Sequence, residues 1–318
     1  MKRNVKVIAL LMAVIGLIML VGIGCSQSES DGSGQFTIGW VTGDDIYSFN
    51  VRVRQAVVRF GEEAGMRIMV ADARSDVNNE VNHMENYIAQ GVDVVATMPR
   101  DPVGSAAGVR QVWAAGIPYI GVTGVVEADQ ILVGGDDVHA GQLQAEFLAQ
   151  VLPPNGTYLY MTVNPVENTC IRRKEGMEIL RTLRPDVRML AEEDVRGRAD
   201  RGMTVTENWL QVYDHVDAIV SQNDDAALGA IEALKAAGRL QSTMVIGIDG
   251  GIDALRSIQA GELTASAYYD ADGVGRAVIE VASQIRNGVS PSQIADILVP
   301  FKMITRENVE EFISLVDN

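Results

Sequence analysis

Cysteine and histidine are scarce in this chain. Two cysteines among 318 residues cannot support a disulfide scaffold or a cysteine-rich zinc site. The three histidines, His83, His139 and His215, are scattered along the sequence, which argues against a metal site built on imidazole ligands. We therefore expect neither a bound metal nor a cofactor.

Basic residues are also in short supply. Lysine and arginine number 26 against 42 aspartates and glutamates, so the formal net charge is -16. A protein that binds nucleic acid needs a positive face toward the phosphates, so this balance argues against nucleic acid as a partner. The same charge keeps a protein soluble, and we expect a monomer.

Residues 1–24 have the order of a targeting segment. A positive start precedes Val7–Ile23, an uninterrupted run of apolar residues and glycine, and Cys25 follows. This order resembles a bacterial lipoprotein signal, in which the cysteine becomes lipidated, although Gly22 stands where leucine is usual. An uncleaved signal anchor is the alternative, because a run of 17 residues can just span a bilayer. Both interpretations place the folded part outside the cytoplasmic membrane.

From Phe36 onward the chain alternates short apolar, β-branched runs with longer amphipathic stretches. Such runs are typical of strands buried in a parallel sheet, and their alternation with helices predicts a doubly wound α/β fold. Four glycines, at positions 65, 91, 116 and 238, follow helical stretches and favour helix ends there. The ten predicted strands are Phe36–Val41, Met66–Ala71, Val92–Met98, Pro118–Thr123, Ile131–Val133, Thr157–Val163, Val187–Ala191, Val216–Ser221, Met244–Ile248 and Leu263–Tyr268.

These strands are more than one such domain usually contains. A chain of 318 residues suggests two domains at roughly 100–200 residues each. A break around Gly134–Asp137 would divide the strands into two sets of five. A last helix, Asp272–Arg286, and a short element, Val299–Ile304, come after the second set.

Open parallel sheets bind ligands beyond the carboxyl ends of their strands, so the residues that follow the predicted strands are the candidates. They are carboxylates, amides, arginines and aromatic residues, a set that suits a polyhydroxylated ligand because polar groups pair with hydroxyls and ring faces cover C–H groups. The candidates are Thr42, Asp44, Asp45, Tyr47, Phe49, Arg100, Asp101, Thr123, Asn164, Arg173, Gln222, Asn223, Asp224, Asp249, Tyr268, Tyr269 and Asp270.

Several candidates also have a purely structural interpretation. Asn223 could serve only as the cap of the helix that follows it, and Asp249 could be a turn residue. Arg173 lies in a run of three basic residues, two of which we expect to be solvated. Tyr47 and Phe49 could simply pack in a wall. The residues alone leave these alternatives open.

Five segments are similar to those of a known family: Asn78–Ala96, Ala115–Pro118, Ser221–Ala230, Val245–Gly250 and Ile304–Val309. With them, the region from Phe36 to Leu315 resembles the periplasmic sugar-binding proteins of bacterial ABC transporters, in the ribose-binding group, which share their fold with the ligand domain of LacI-type repressors. The resemblance implies a periplasmic binding protein fold of type I. This is an α/β fold of two doubly wound parallel-sheet lobes joined by a three-segment hinge.

The same resemblance implies the domain limits. We expect a signal peptide over residues 1–24 and a flexible tether over residues 25–35. The N-terminal lobe would comprise residues 36–136 with 271–298, and the C-terminal lobe residues 137–270 with 299–318.

The resemblance also assigns ligand contacts. Asn223 and Asp249 would bind sugar hydroxyls, and Arg173 would be the family's ligand-binding arginine. Phe49, Tyr47 and Asp45 would form the wall and the polar contact of the first lobe. Tyr269 would be a ligand contact at the hinge. Thr123 and Gly124 stand where many ribose and pyranose binders carry an Asp-Arg pair, which removes a charge pair from the site. If Arg196 or Arg198 reaches the cleft, the ligand would carry negative charge; the alternative is that both are solvated.

The leading hypothesis is a lipid-anchored solute-binding protein that captures a sugar or polyol and delivers it by hinge closure to the permease subunits of an ABC importer. A sensory binding protein that presents its ligand to a membrane receptor or histidine kinase is the alternative. We expect no enzymatic activity, because no phosphate loop or serine elbow is present and Cys170 has no histidine near it. The expected location is the periplasm or the outer face of the cell membrane, with Cys25 as the lipid attachment site.

Overall fold

The computed structural model describes residues 34–316, so the predicted signal peptide and Cys25 lie outside the described residues. Two six-stranded sheets form its framework. Sheet A contains β1 (Thr37–Thr42), β2 (Arg67–Asp72), β3 (Val94–Thr97), β4 (Tyr119–Val122), β5 (Ile131–Gly134) and β11 (Ile297–Leu298). Sheet B contains β6 (Thr157–Thr162), β7 (Arg188–Asp194), β8 (Ala218–Ser221), β9 (Met244–Asp249), β10 (Ala265–Tyr269) and β12 (Phe301–Thr305).

Helices alternate with these strands along the chain. They are α1 (Ser48–Glu63), α2 (Val77–Gln90), α3 (Ala106–Ala114), α4 (Asp137–Val151), α5 (Asn168–Met177), α6 (Leu180–Leu183), α7 (Ala199–Val212), α8 (Asp224–Ala236), α9 (Ile252–Ala260), α10 (Ala271–Arg286) and α11 (Val309–Val316). Between residues 34 and 316, none of the helices has the length and apolar character needed to cross a membrane.

The two sheets have the same strand order, which is β2-β1-β3-β4-β5-β11 in sheet A and β7-β6-β8-β9-β10-β12 in sheet B. All neighbouring strands are parallel except β10 and β12. This order defines a doubly wound sheet, and the predicted fold class is confirmed. All ten predicted strands form. The predicted start of the final element, Val299–Ile304, is wrong, because β12 begins at Phe301. The short strand β11 precedes it.

The cores and the helix ends follow the sequence pattern. Every residue of β3 and β8 is buried, as expected of strands that are covered by helices on both faces. Gly65, Gly91, Gly116 and Gly238 have φ angles between 65° and 77°. Glycine adopts this left-handed conformation without strain, which explains why the helices before these positions end there.

The chain passes between the sheets three times within the described residues, from β5 to β6, from β10 to β11 and from β11 to β12. The expected lobe limits, after residues 136, 270 and 298, fall within these three passages. Whether the two parts move as separate lobes stays a prediction.

Two glycines allow helices α4 and α5 to pack at very short range. A Cβ atom at Gly141 would overlap the carbonyl oxygen of Arg173, and one at Gly176 would overlap the carbonyl oxygen of Val138. The pair α7 and α8 repeats the arrangement through Gly202 and Gly229. Close contact between α4 and α5 matters for the site, because Arg173 and Asp137 lie on these two helices.

We expect Gly176→Ala to destabilise the protein by roughly 1–3 kcal/mol, because the added methyl group meets backbone that cannot move aside. Urea unfolding measures the change. Gly108→Ala in α3 is the control, since a Cβ atom there would meet only side chains, at 3.0 Å from Met84 and 3.2 Å from Val81. An equal loss of unfolding free energy in Gly176→Ala and Gly108→Ala would contradict the role of close helix packing.

Candidate ligand-binding site

A cavity lies where the carboxyl ends of strands from the two sheets meet. The centre of a water molecule can occupy a volume of about 90 Å³ within this cavity. The cavity therefore has room for one small molecule. Its lining comes from both halves of the chain: Tyr47, Phe49, Asn50, Met98, Pro99, Arg100, Pro102, Thr123, Gly124, Val125, Val163, Glu167, Asn168, Thr169, Cys170, Arg173, Gln222, Asn223, Asp249 and Tyr269.

Seven of the eight predicted ligand contacts line this cavity, namely Tyr47, Phe49, Thr123, Arg173, Asn223, Asp249 and Tyr269. The eighth predicted contact, Asp45, is not part of this lining. Its carboxylate lies 3.1 Å from Nε of Arg54 on helix α1 and does not face the cavity. A carboxylate in the turn before a helix can reach an arginine two turns along it, and the sequence pattern did not reveal this partner.

Arg173 is buried rather than solvated. Its Nε donates to Oδ1 of Asp137 at 2.9 Å, and its Nη1 donates to the backbone oxygen of Gln222 at 2.5 Å. Its neighbours Arg172 and Lys174 are half exposed, each with 45% of its side chain accessible. The two bonds hold the Arg173 guanidinium rigidly at the cavity wall, where it can donate to a ligand oxygen.

Asp249 ends strand β9, and its side chain is buried at the cavity. Its φ angle of 120° is a conformation that residues other than glycine rarely adopt. Arg52 supports the strained backbone, because its Nη2 donates to the Asp249 carbonyl at 3.1 Å. Burial raises the pKa of the Asp249 carboxyl to about 7, although Arg173 and Arg52 oppose the shift. The group can therefore change protonation state near neutral pH.

Two aromatic rings, Phe49 and Tyr269, line the cavity, and a third ring, Phe301, packs behind them. Phe49 stacks on Tyr269 with ring centroids 4.8 Å apart, and Tyr269 packs against Phe301 at 4.3 Å. The Tyr269 hydroxyl is buried and has no hydrogen-bond partner among residues 34–316. A buried hydroxyl without a partner loses free energy relative to water, so it is suited to pair with a ligand hydroxyl.

Asn223 serves as a helix cap and also lines the cavity. Its Oδ1 accepts from the backbone N–H of Ala226 at 3.4 Å, and its Nδ2 donates to the Gly197 carbonyl at 2.8 Å. Thr123 has a positive φ angle of 58°, and its carbonyl accepts from Oγ1 of Thr169 at 3.1 Å. Both residues thus have structural duties at the wall of the cavity.

Sequence reasoning missed an ion pair that joins the two sheets across the cavity. Nη2 of Arg100, beyond β3, lies 2.6 Å from Oε1 of Glu167, the cap residue of α5. The Arg100 guanidinium also lies over the Tyr47 ring, 4.7 Å from its centroid. Burial raises the pKa of Glu167, and the charge of Arg100 opposes this shift. An acidic residue before a helix is common enough that the sequence offered no distinctive signal for it.

Arg196 and Arg198 do not line the cavity. The Arg198 side chain is 46% exposed and its Nε donates to Asp200 at 2.9 Å. The backbone oxygen of Arg196 accepts from the Tyr47 hydroxyl at 3.0 Å, so this residue contributes a carbonyl rather than a charge. Both arginines of the cavity wall, Arg100 and Arg173, face carboxylates of the protein. The site therefore offers no unmatched positive charge to an anionic ligand.

The fold and this cavity define a two-sheet binding protein, and comparison with known proteins identifies the family. Residues 38–289 match the periplasmic binding protein domain, and the chain belongs to this family. The predicted resemblance is confirmed. The relatives below are binding proteins rather than enzymes, as the sequence led us to expect.

Two curated relatives span nearly the whole chain. The chain is 29% identical to a putative rhizopine-binding protein of Rhizobium meliloti, over 92% of this chain and 97% of the relative. It is 27% identical to the ribose import binding protein of Bacillus subtilis, over 88% of this chain and 90% of the relative.

Two solved structures are similar in fold and sequence. An ABC transporter solute-binding protein of Bacillus halodurans with bound myo-inositol has a TM-score of 0.83 and 30% identity, over 90% of this chain and 99% of that one. The Caulobacter myo-inositol binding protein bound to myo-inositol has a TM-score of 0.83 and 25% identity, over 89% of this chain and 97% of that one.

We expect the Asp249 carboxyl to lower the stability of the folded protein as the pH rises from about 4 to about 7. In this window the folded state retains a proton that the unfolded state has lost, so deprotonation favours unfolding. The Asp249→Asn variant should lack this contribution to the pH dependence. Its free energy of unfolding should therefore increase relative to that of the parent as the pH rises. Between pH 4.5 and pH 8, the free energy of unfolding of the variant relative to the parent should change by about 1.4 kcal/mol or more, which is the equivalent of one pKa unit.

Chemical unfolding across this pH range measures the effect. Asp253→Asn is the control, because Asp253 is an exposed carboxylate in the first turn of α9. Parallel stability profiles for the parent and Asp249→Asn would contradict the raised pKa.

Proposed function

We propose that the protein captures one molecule of a neutral sugar or polyol in the cavity between the sheets and delivers it to the permease of an ABC importer. The observation that carries this proposal is the composition of the cavity wall. It combines a buried carboxyl at Asp249, an unpartnered hydroxyl at Tyr269 and two arginines that protein carboxylates already neutralise. Hydroxyl groups of a polyol can pair with all of these groups without bringing a charge.

Delivery would follow from closure of the two halves. The three chain passages between the sheets form a hinge, and a ligand that contacts both halves stabilises the arrangement in which they meet. The lobes would be residues 36–136 with 271–298, and 137–270 with 299–318. The names of the relatives support the ligand class, since they refer to ribose, rhizopine and myo-inositol.

A thermal-shift panel tests the ligand class on the chain from Ser26 onward. We expect myo-inositol, ribose or xylitol to stabilise the protein. At about 100 times its dissociation constant, a ligand adds about 2.7 kcal/mol of stability. Glucuronate and inositol phosphates should have no such effect, because no free cation of the wall receives them. Stabilisation by anionic sugars alone would contradict the proposal.

We expect Tyr269→Phe to weaken binding of the active polyol by about fivefold to tenfold, the loss of roughly one hydrogen bond. Isothermal titration measures the affinity. Tyr268→Phe is a matched control, because this adjacent residue points to the opposite face of β10 and its hydroxyl bonds to Asp270 at 3.3 Å. An unchanged affinity in Tyr269→Phe would remove this hydroxyl from the binding site.

We also propose that the mature protein is anchored by a lipid on Cys25, with residues 25–35 as the tether. The support is the order of residues 1–25 in the sequence. Mass spectrometry of the protein from membranes should find a chain that begins with lipidated Cys25. The Cys170→Ser variant should have the same lipidated N-terminus. A chain that retains residues 1–24 would instead support an uncleaved anchor.

A further inference from the structure

Helix α1 begins without a cap of its own. Its cap residue is Tyr47, whose side chain accepts no hydrogen bond from the helix, and its first turn contains no acidic residue. The first N–H groups of a helix have no partner within the helix and need an acceptor from elsewhere. The local sequence of α1 therefore leaves its N-terminus dependent on another part of the chain.

The acceptor comes from the other sheet. Oδ2 of Asp225 accepts from the backbone N–H of Ser48 at 3.1 Å, and its Oδ1 accepts from the Ser48 hydroxyl at 2.8 Å. Asp225 is the second residue of α8, which follows β8 of sheet B, whereas α1 follows β1 of sheet A. One carboxylate thus lies at the N-termini of two helices, where both helix dipoles favour negative charge.

This contact lies outside the ligand cavity. Neither Ser48 nor Asp225 belongs to the cavity lining, but their neighbours Tyr47, Phe49 and Asn223 do. The contact can therefore fix the wall of the site without touching a ligand. Because Ser48 follows a strand of sheet A and Asp225 follows a strand of sheet B, their two hydrogen bonds exist only while these two helix ends are together.

We propose that Asp225 is a positioning residue for ligand capture: it caps helix α1 across the cleft and so holds the closed arrangement of the two halves. The inference rests on the proposed function, in which closure retains the ligand. Loss of the cap should mainly raise the rate of ligand release, since the cap exists only after the halves have met.

Asp225→Ala tests the proposal, with Asp253→Ala as the matched control. Asp253 is the second residue of α9 in the same half of the chain, so it has the same place at a helix start. With myo-inositol as the probe, stopped-flow measurements should show release accelerated about fivefold in Asp225→Ala, within a range of about twofold to thirtyfold for a lost cap. The association rate should change less than twofold, and Asp253→Ala should match the parent.

Ser48→Ala separates the cap from the charge of Asp225. Burial, and to a lesser degree the charge of Asp225, raises the pKa of Asp249, so Asp225→Ala could act through that carboxyl. Ser48→Ala leaves every charge in place and removes one of the two hydrogen bonds. It should accelerate release less than Asp225→Ala does, and the double variant should behave like Asp225→Ala alone.

Small-angle scattering of the protein without added sugar gives an independent measure of closure. Asp225→Ala should have a larger radius of gyration than Asp253→Ala. Equal radii, or equal release rates in the two variants, would overturn the proposal while leaving ligand capture intact. If no polyol or sugar binds the parent, the proposed function fails, and the scattering comparison still decides whether Asp225 holds the halves together.

Discussion

Where the carboxyl ends of the two sheets meet, charged side chains from both halves are removed from water. Separating a buried ion from its partner costs several kcal/mol, so each charge at this junction needs a matched group. Arg173 lies against Asp137, and Arg100 lies against Glu167. These pairs join the segments that carry them and leave other groups of the cavity available to a ligand.

Helix packing makes the first of these pairs possible. Gly141 and Gly176 bring the backbones of α4 and α5 into contact, so that the Arg173 fork reaches Asp137 and the carbonyl of Gln222 together. A guanidinium held by two protein partners keeps its orientation whether or not a ligand is near. Such a preorganised wall reduces the entropy that binding must overcome.

The Asp249 carboxyl and the Tyr269 hydroxyl are different, because within the described part of the chain neither has a dedicated side-chain hydrogen-bond partner. Asp249 also has a strained backbone, and strain of this kind persists only where the surrounding structure holds it. The backbone bond from Arg52, which belongs to sheet A's half, supplies part of that support. A residue that lines the cavity is therefore held in place by a residue from the other half of the chain.

The sequence by itself determined the ten parallel strands and the glycines that end the helices, because strand burial and left-handed turns are local properties of residue type. It also indicated nine of the residues that line the cavity, since the carboxyl ends of parallel strands lie together in any doubly wound sheet. Only the tertiary structure decided which side chains pair there. Asp45 forms an ion pair with Arg54, and Glu167 forms one with Arg100. Asp225 caps helix α1 at Ser48, which lies 177 residues earlier in the chain. The last two contacts form through the docking of separate helices and sheets, and no periodicity along the chain records that docking.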